Sequence, residues 1–365
     1  MTNTLFTAYT LGSLNLPNRM VMAPMTRNRA DENGVPKPMT ATHYVQRATA
    51  GLLITEATQV SEKANGYMYT PGIYTEDQVR GWQAVTDAVH HKGGRIFSQL
   101  WHTGRVSHTL LQPDGGDPVA PSAVKAETMV FTPNGFEPPT MPRALAIEEI
   151  PALVDQFAKA AGLAKKAGFD GVEVHGANGY LIEQFLKDGS NRRNDAYGGD
   201  ITNRIRFALE VVGAAVEVWG PPGRVGLRIS PRGVFNGMHD SDPQALYSQL
   251  AAALNDIPLA YLHVIEPLPG HPSFKSQEEF PPVAPELRKI YKGTMIINGG
   301  YGRETGEKAL SENAADLVAF GVPFLANPDL VERFRRNAPL NEPDQDTFYG
   351  GDEKGYNDYP FLDRQ

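Results

Sequence analysis

Three side chains with complementary chemistry share one short run, Gly171-Val172-Glu173-Val174-His175-Gly176-Ala177-Asn178-Gly179-Tyr180. An imidazole and a carboxamide can both donate hydrogen bonds to a carbonyl or nitro oxygen, and a phenol can give a proton to a nearby carbon. The run opens as a strand, with Val172 and Val174 on one side and Glu173 and His175 on the other. It breaks at Gly176 and delivers His175, Asn178 and Tyr180 within a single turn. The plainer alternative for Tyr180 is a rim tyrosine hydrogen-bonded to backbone. Three polar groups on one turn favour the chemical reading.

Such a turn needs a scaffold, and short β-rich runs recur along the chain. Met20–Ala23, Leu52–Ala57, Arg95–Trp101, Gly171–His175, Val225–Ser230, Ala260–Ile265, Thr294–Asn298 and Leu317–Phe320 are eight candidate strands. Helical periodicity fills the gaps. After Pro151, the residues Leu153, Val154, Phe157, Ala161 and Ala164 share a face that Gly168 closes, and Ile205, Ala208, Leu209, Val212 and Val216 repeat the pattern behind a Thr202 or Asn203 cap. Alternating strands and helices imply parallel pairing, and eight units predict an α/β fold, a (β/α)8 TIM barrel in one domain spanning 1–365. A doubly wound sheet would need a phosphate-binding glycine turn near the start; Gly300-Tyr301-Gly302 is only a fragment of one, since position 305 is threonine. Two segments exceed a minimal barrel. One is 103–150 after the third strand, rich in Pro and Gly and read as a lid insertion; the other is the tail 337–365. The residues through Pro17 are read as a hairpin closing the bottom of the barrel.

Composition bounds the function. Of 365 residues, 41% are hydrophobic and 21% charged, enough for a large core, and the net charge of −8 argues against a nucleic-acid surface. No apolar run approaches the roughly 20 residues of a membrane span, and Met1 to Leu16 do not read as a signal peptide. With no cysteine there is no disulfide, thiolate zinc site or iron–sulfur cluster, a composition compatible with a reducing, cytoplasmic setting. The histidines are scattered and no metal site is expected.

The strand ends of such a barrel build its active site. Arg228 lies within an apolar strand, and a buried guanidinium requires an anionic partner: either an internal salt bridge with Glu56 or Glu173, or a ligand that becomes negative, such as the N1–C2=O edge of a reduced flavin. Gln99 and Thr26 add donors and acceptors suited to the edge of a heteroaromatic ring. Trp101, Tyr67 and Tyr349 could line a slot for a flat substrate. Asn298-Gly299-Gly300 and Gly321 end the last two strands, where such barrels hold phosphate. A cofactor-free hydrolase or isomerase with Glu56 or Glu173 as base stays open, as does a flavin-binding barrel without turnover.

These residues resemble the old yellow enzymes, FMN-dependent ene-reductases related to bacterial N-ethylmaleimide, pentaerythritol tetranitrate and glycerol trinitrate reductases. The resemblance runs from Pro17-Asn18-Arg19-Met20-Val21-Met22-Ala23-Pro24-Met25-Thr26-Arg27 through Gln99-Leu100-Trp101-His102-Thr103-Gly104-Arg105 and His175-Gly176-Ala177-Asn178-Gly179-Tyr180 to Ala326-Asn327-Pro328-Asp329-Leu330 and Phe348-Tyr349-Gly350-Gly351. It implies non-covalent FMN held by Pro24, Met25, Thr26, Ala57, Gln99, His175 and Arg228, with its phosphate on Gly299, Gly300, Gly321 and Val322. It implies an acceptor oxygen bound by His175 and Asn178, a proton donor in Tyr180, and a pocket shaped by Tyr67, Trp101 and Tyr349. NADPH or NADH would supply hydride, which passes from flavin N5 to enones, maleimides or nitroalkenes, with nitrate esters and quinones as further acceptors. Many relatives carry a basic residue after Gly321; here it is Val322, so Arg303 or backbone amides would have to meet the phosphate. The expected partners are small molecules, without nucleic acid or membrane, in a monomer or small homo-oligomer.

Overall fold

The computed structural model describes residues 4–267 and 282–362; the first three residues and the last three of the tail lie outside it. Eight strands close into an all-parallel barrel: Met20–Met22 (β1), Leu52–Gln59 (β2), Ile96–Trp101 (β3), Gly171–Gly176 (β4), Val225–Ile229 (β5), Tyr261–Ile265 (β6), Met295–Asn298 (β7) and Leu317–Phe320 (β8). Each expected strand is present, with ends shifted by two residues at most. Helices alternate with them, among them Pro38–Gln46, Glu76–His91, Ile150–Lys166, Arg206–Trp219 and Pro243–Ala253.

Strand alternation sorts the side chains into two cores. Outward residues such as Val172, Val174, Leu227, Leu262 and Ile297 join Phe157, Ala161, Ala164, Val212 and Leu250 of the helices in one large cluster. The inward lower layer holds Val21, Leu52, Ile54, Phe97, Tyr261, Ile296 and Leu317, capped by Leu11, Leu14 and Leu16. Those capping leucines belong to the antiparallel pair Tyr9–Leu11 and Leu14–Leu16, whose turn at Gly12 sits against Gly223 just ahead of β5, so the hairpin does close the bottom. Above the apolar layer the inward positions turn polar: Gln99, Glu173, His175, Arg228, His263 and Asn298. The barrel is thus a dry plug below and a polar cup above.

The helix Ile150–Lys166 buries Leu153, Phe157, Ala161 and Ala164 on one face as expected, and the chain turns at Gly168 with φ +86°. The expected cap of the helix after β4 is different. A separate turn, Ile201–Arg204, precedes Arg206–Trp219 with Asp200 at its N-cap position. Thr202 instead accepts from Gln249 of the helix Pro243–Ala253, and Asn203 donates back to the Gly198 carbonyl in the loop ahead of it. In the segment 103–150, a hairpin pairs Val130–Thr132 with Gly135–Glu137, and Val106, Ala126 and Val130 sit against Trp101 and Tyr180 at the barrel mouth.

Candidate active site

The bend after β4 is built by two successive left-handed residues, Asn178 at φ +57° and Gly179 at φ +78°. A Cβ on Gly179 would also meet the Phe235 carbonyl and the Asn236 side chain at 2.8 Å, so glycine is required there twice over. The bend hangs on polar residues of the next helix, Leu181–Leu186, all six of which are buried. Glu183 accepts from the Gly179 amide, from Ser230 Oγ at 2.6 Å and from the Tyr247 hydroxyl at 3.1 Å, and Lys187 lies 3.1 Å from it. Ser230 Oγ in turn accepts from the Asn178 amide at 2.9 Å. Gln184 donates to the carbonyls of Gly179 and Thr103 and accepts from the Arg105 amide, joining the bend to the base of the insertion. Removing one member of the buried Glu183–Lys187 pair would leave an unpaired charge, a loss of about 3–5 kcal/mol. Sequence reasoning missed this shell. Its signal was the adjacent pair Glu183-Gln184 inside the otherwise apolar run Leu-Ile-Glu-Gln-Phe-Leu.

His175 and Tyr180 meet edge to face with ring centres 5.1 Å apart. Tyr180 also meets Trp101 edge to face at 5.0 Å, Tyr67 stacks on Trp101 at 5.6 Å, and the Tyr180 and Tyr67 hydroxyls are 3.4 Å apart. Burial, with Arg228 and His263 nearby, pushes His175 well below its ordinary pKa, so the ring is neutral. Its Nδ1 is buried without a hydrogen-bond partner among the described residues. Burial, reinforced by Tyr67, raises Tyr180 well above the usual phenol value. Asn178 is half-buried, and its side-chain amide makes no hydrogen bond among the described residues. His175, Asn178, Tyr180, Tyr67 and Trp101 are therefore brought together. Tyr349 stands apart on the tail, 70% exposed, near enough to Tyr67 and Tyr180 for its hydroxyl to bear on theirs.

The two carboxylates named as salt-bridge partners for Arg228 are both committed elsewhere. Glu173 accepts from Gln99 Nε2 and from His263 Nδ1, each at 2.8 Å. Burial opposes its ionisation, but His263, Arg228 and Gln99 together outweigh that and hold it below the usual carboxylate range. An irregularity in β2 between Ile54 and Ala57 places Ala57 in the aromatic cluster at the mouth and sends Glu56 to the opposite side, where its carboxylate accepts from the Arg27 amide at 3.1 Å. Among the described residues Arg228 makes a single hydrogen bond, 3.0 Å to Asn298 Oδ1, and its buried Nε makes none. No carboxylate forms an ion pair with it among the described residues. Glu173 thus acts on Arg228 through space without a direct bond, and the open guanidinium Nε is left to meet a ligand with an acceptor edge.

At the other side of the mouth, the amides of Gly299, Gly300, Gly321 and Val322 donate no hydrogen bond among the described residues. Gly299 and Gly300 have φ of +143° and +69°, and a Cβ on Gly321 would meet nothing nearer than Met25 Sδ at 3.6 Å. Four amides that donate to nothing among the described residues, with open space at Gly321, suit an oxyanion group. Arg303 is not there to assist: it donates to Asn337 Oδ1 at 2.9 Å on the outside. Thr26 is half-buried, its hydroxyl makes no hydrogen bond among the described residues, and it stands next to buried Pro24 and partly buried Met25.

The comparisons with known proteins decide what these groups belong to. A family model described as NADH:flavin oxidoreductase / NADH oxidase matches residues 4–341. The chain belongs to this family, that of the old yellow enzymes. A solved structure of morphinone reductase is 52% identical, with 99% of this chain and 97% of that chain covered and a TM-score of 0.94. The old yellow enzyme homologue from Zymomonas mobilis is 42% identical, covering 98% and 100%, with a TM-score of 0.95. Among curated relatives, 12-oxophytodienoate reductase 1 from Oryza sativa subsp. japonica is 47% identical over 362 residues, 98% of this chain and 93% of the relative. The protein is a flavin-dependent oxidoreductase on a TIM barrel. The old yellow enzyme cofactor FMN fits the residues present: among the described residues a guanidinium Nε and an imidazole nitrogen are left unbonded for its heterocycle, and a cradle of backbone amides donates to nothing and suits its phosphate.

Proposed function

We propose that this enzyme reduces activated C=C bonds, in α,β-unsaturated carbonyls, maleimides and nitroalkenes, with NADPH or NADH as hydride donor and with nitrate esters and quinones as further acceptors. The observation that carries this reading is the grouping of neutral His175, unengaged Asn178 and proton-retaining Tyr180 on one rim, beside Arg228 with its Nε unbonded among the described residues. The chemistry that bound FMN would supply is hydride transfer from the coenzyme to the acceptor's β carbon. His175 and Asn178 hold the acceptor's oxygen with two donors and stabilise the charge that builds there. Tyr180 delivers its hydroxyl proton to the α carbon. Arg228, Gln99 and Thr26 hold the polar edge of the cofactor ring, Pro24, Met25 and Ala57 its apolar side, and the amides of Gly299, Gly300, Gly321 and Val322 its phosphate. Tyr67, Trp101 and Tyr349 wall the slot. The structure of morphinone reductase in complex with tetrahydroNAD supports a nicotinamide coenzyme as donor. The protein would work on small molecules as a monomer or small homo-oligomer, with 103–150 as the lid.

A cofactor-free mechanism with Glu56 or Glu173 as base has no support in the geometry, since Glu173 is saturated by Gln99 and His263 and Glu56 points away from the slot. The test is to denature the purified protein and identify what it releases. FMN in near-equal ratio to protein is expected. A colourless protein that also fails to bind added FMN overturns the proposal.

A further inference from the structure

Three arginines, Arg27, Arg29 and Arg47, are each 1% exposed or less and form no ion pair with any carboxylate among the described residues. Two of them spend their donors on the backbone of one segment of the tail. Arg27 donates from Nε to the Phe348 carbonyl at 2.9 Å and from Nη2 to the Gly355 carbonyl at 2.7 Å. Arg29 donates to the carbonyls of Asp352, Thr347 and Lys354 at 2.9, 3.0 and 3.1 Å. Both guanidinium groups lie over the ring of Tyr356, at 5.0 and 4.6 Å, and that ring stacks on His43 from 4.0 Å. Arg47 fastens the same place from below, reaching the carbonyls of Phe324 and Leu325 and, at 3.4 Å, Tyr356.

The grip closes around one residue. The Gly350 amide donates to the Arg27 carbonyl at 2.9 Å, while Arg27 Nε holds the Phe348 carbonyl. Tyr349 is therefore bracketed on both sides by Arg27 and fixed through its backbone, although its side chain is 70% exposed. Arg27 directly follows Thr26, so the bracket ties the cofactor-facing strand end to the aromatic wall opposite Tyr67 and Trp101. A wall with little packing of its own holds its place only as well as its backbone anchors do.

We infer that Arg27 and Arg29 are positioning residues that set the aperture of the acceptor slot by seating the tail and, with it, Tyr349. This rests on the reading of the mouth as an acceptor slot over FMN. The structure makes Arg29 the better probe, since it is further from Thr26. Arg29→Lys keeps the charge but loses the planar fork that reaches three carbonyls. With a bulky cyclic enone, it should raise KM about tenfold while the limiting rate of flavin reduction at saturating coenzyme stays as in the parent. Combined with Tyr349→Ala, it should add nothing further to KM, because the two act through one wall. Amide hydrogen exchange of 345–356 should accelerate in Arg29→Lys. Tyr356→Leu, which removes the ring under both guanidinium groups, should give the same pattern if Arg29→Lys folds poorly. A lowered melting temperature with unchanged KM, or additive effects with Tyr349→Ala, overturns the inference. Failure to bind FMN would instead overturn the flavin reading, and the exchange measurement would still test the seating of the tail.

Discussion

Tyr180 keeps its proton because its ring is buried among Trp101, Tyr67 and His175, which penalises the phenolate. It is therefore a loaded acid throughout the neutral range, and Tyr180→Phe should slow reduction of a simple enone by about a hundredfold or more while the coenzyme still bleaches the flavin. Unchanged enone turnover in stopped-flow measurements would contradict its role. His175 is depressed by burial first and by Arg228 and His263 next, so it donates as a neutral ring. The acceptor's affinity should accordingly show no titration near the ordinary histidine pKa, and a midpoint near 6.5 would contradict that assignment. These residues were legible in the sequence because their spacing on one turn is itself the signal. The partner of Arg228 was not. Whether it meets Glu56, Glu173 or neither depends on how β2, β4, β5 and β7 are placed around the closed barrel and on a strand irregularity that no local pattern reveals.

At the scale of elements, that irregularity in β2 does two things. It brings Ala57 to the slot, where there is room for a methyl group against the aromatic cluster, and Ala57→Leu should yield protein that retains little FMN, read from the visible absorbance of the purified protein. It also buries Glu56 behind the slot, where burial lifts its carboxyl to about 7 against the small opposing effects of the Arg27 amide, Arg27 and Arg29. A raised carboxyl pKa means that the folded state holds a proton the unfolded chain has released, so stability falls as pH rises from 4.5 through 7, by roughly 3 kcal/mol in all. Glu56→Gln should raise the melting temperature more at pH 8 than at pH 5.5, and an equal shift at both would refute the account. The eight strands were readable from alternation, whereas the buried polar groups behind the bend, Glu183, Gln184 and Ser230, were not. Glu183 and Gln184 join the nearby Gly179 to Ser230, Thr103 and Tyr247 on other βα units, out of reach of any sequence window.

Over the whole molecule, the barrel divides its interior by height: apolar layers and a hairpin plug below, polar groups and glycine amides above. Burying neutral imidazoles has a global cost in acid. Burial holds His43 and His175 well below 6.5 and His102 at about 3. Below 6.5 the unfolded chain takes up protons that these rings refuse, so stability should fall steadily as the pH drops from 7 to 5, net of Glu56 working the other way. Denaturant midpoints that hold constant across that range would contradict these burials. Family membership, fold and the outline of the site were all readable in the chain; the grip of the arginines on the tail was not, because it joins residues more than three hundred positions apart through backbone carbonyls. The central claim is that one mouth takes hydride from a nicotinamide coenzyme and passes it to an activated alkene. Anaerobic titration of the flavin band tests it most directly: the account predicts bleaching by NADPH or NADH, then full recovery on adding one equivalent of an enone, with the saturated ketone as product. Bleaching that no enone, maleimide or nitroalkene reverses would contradict it.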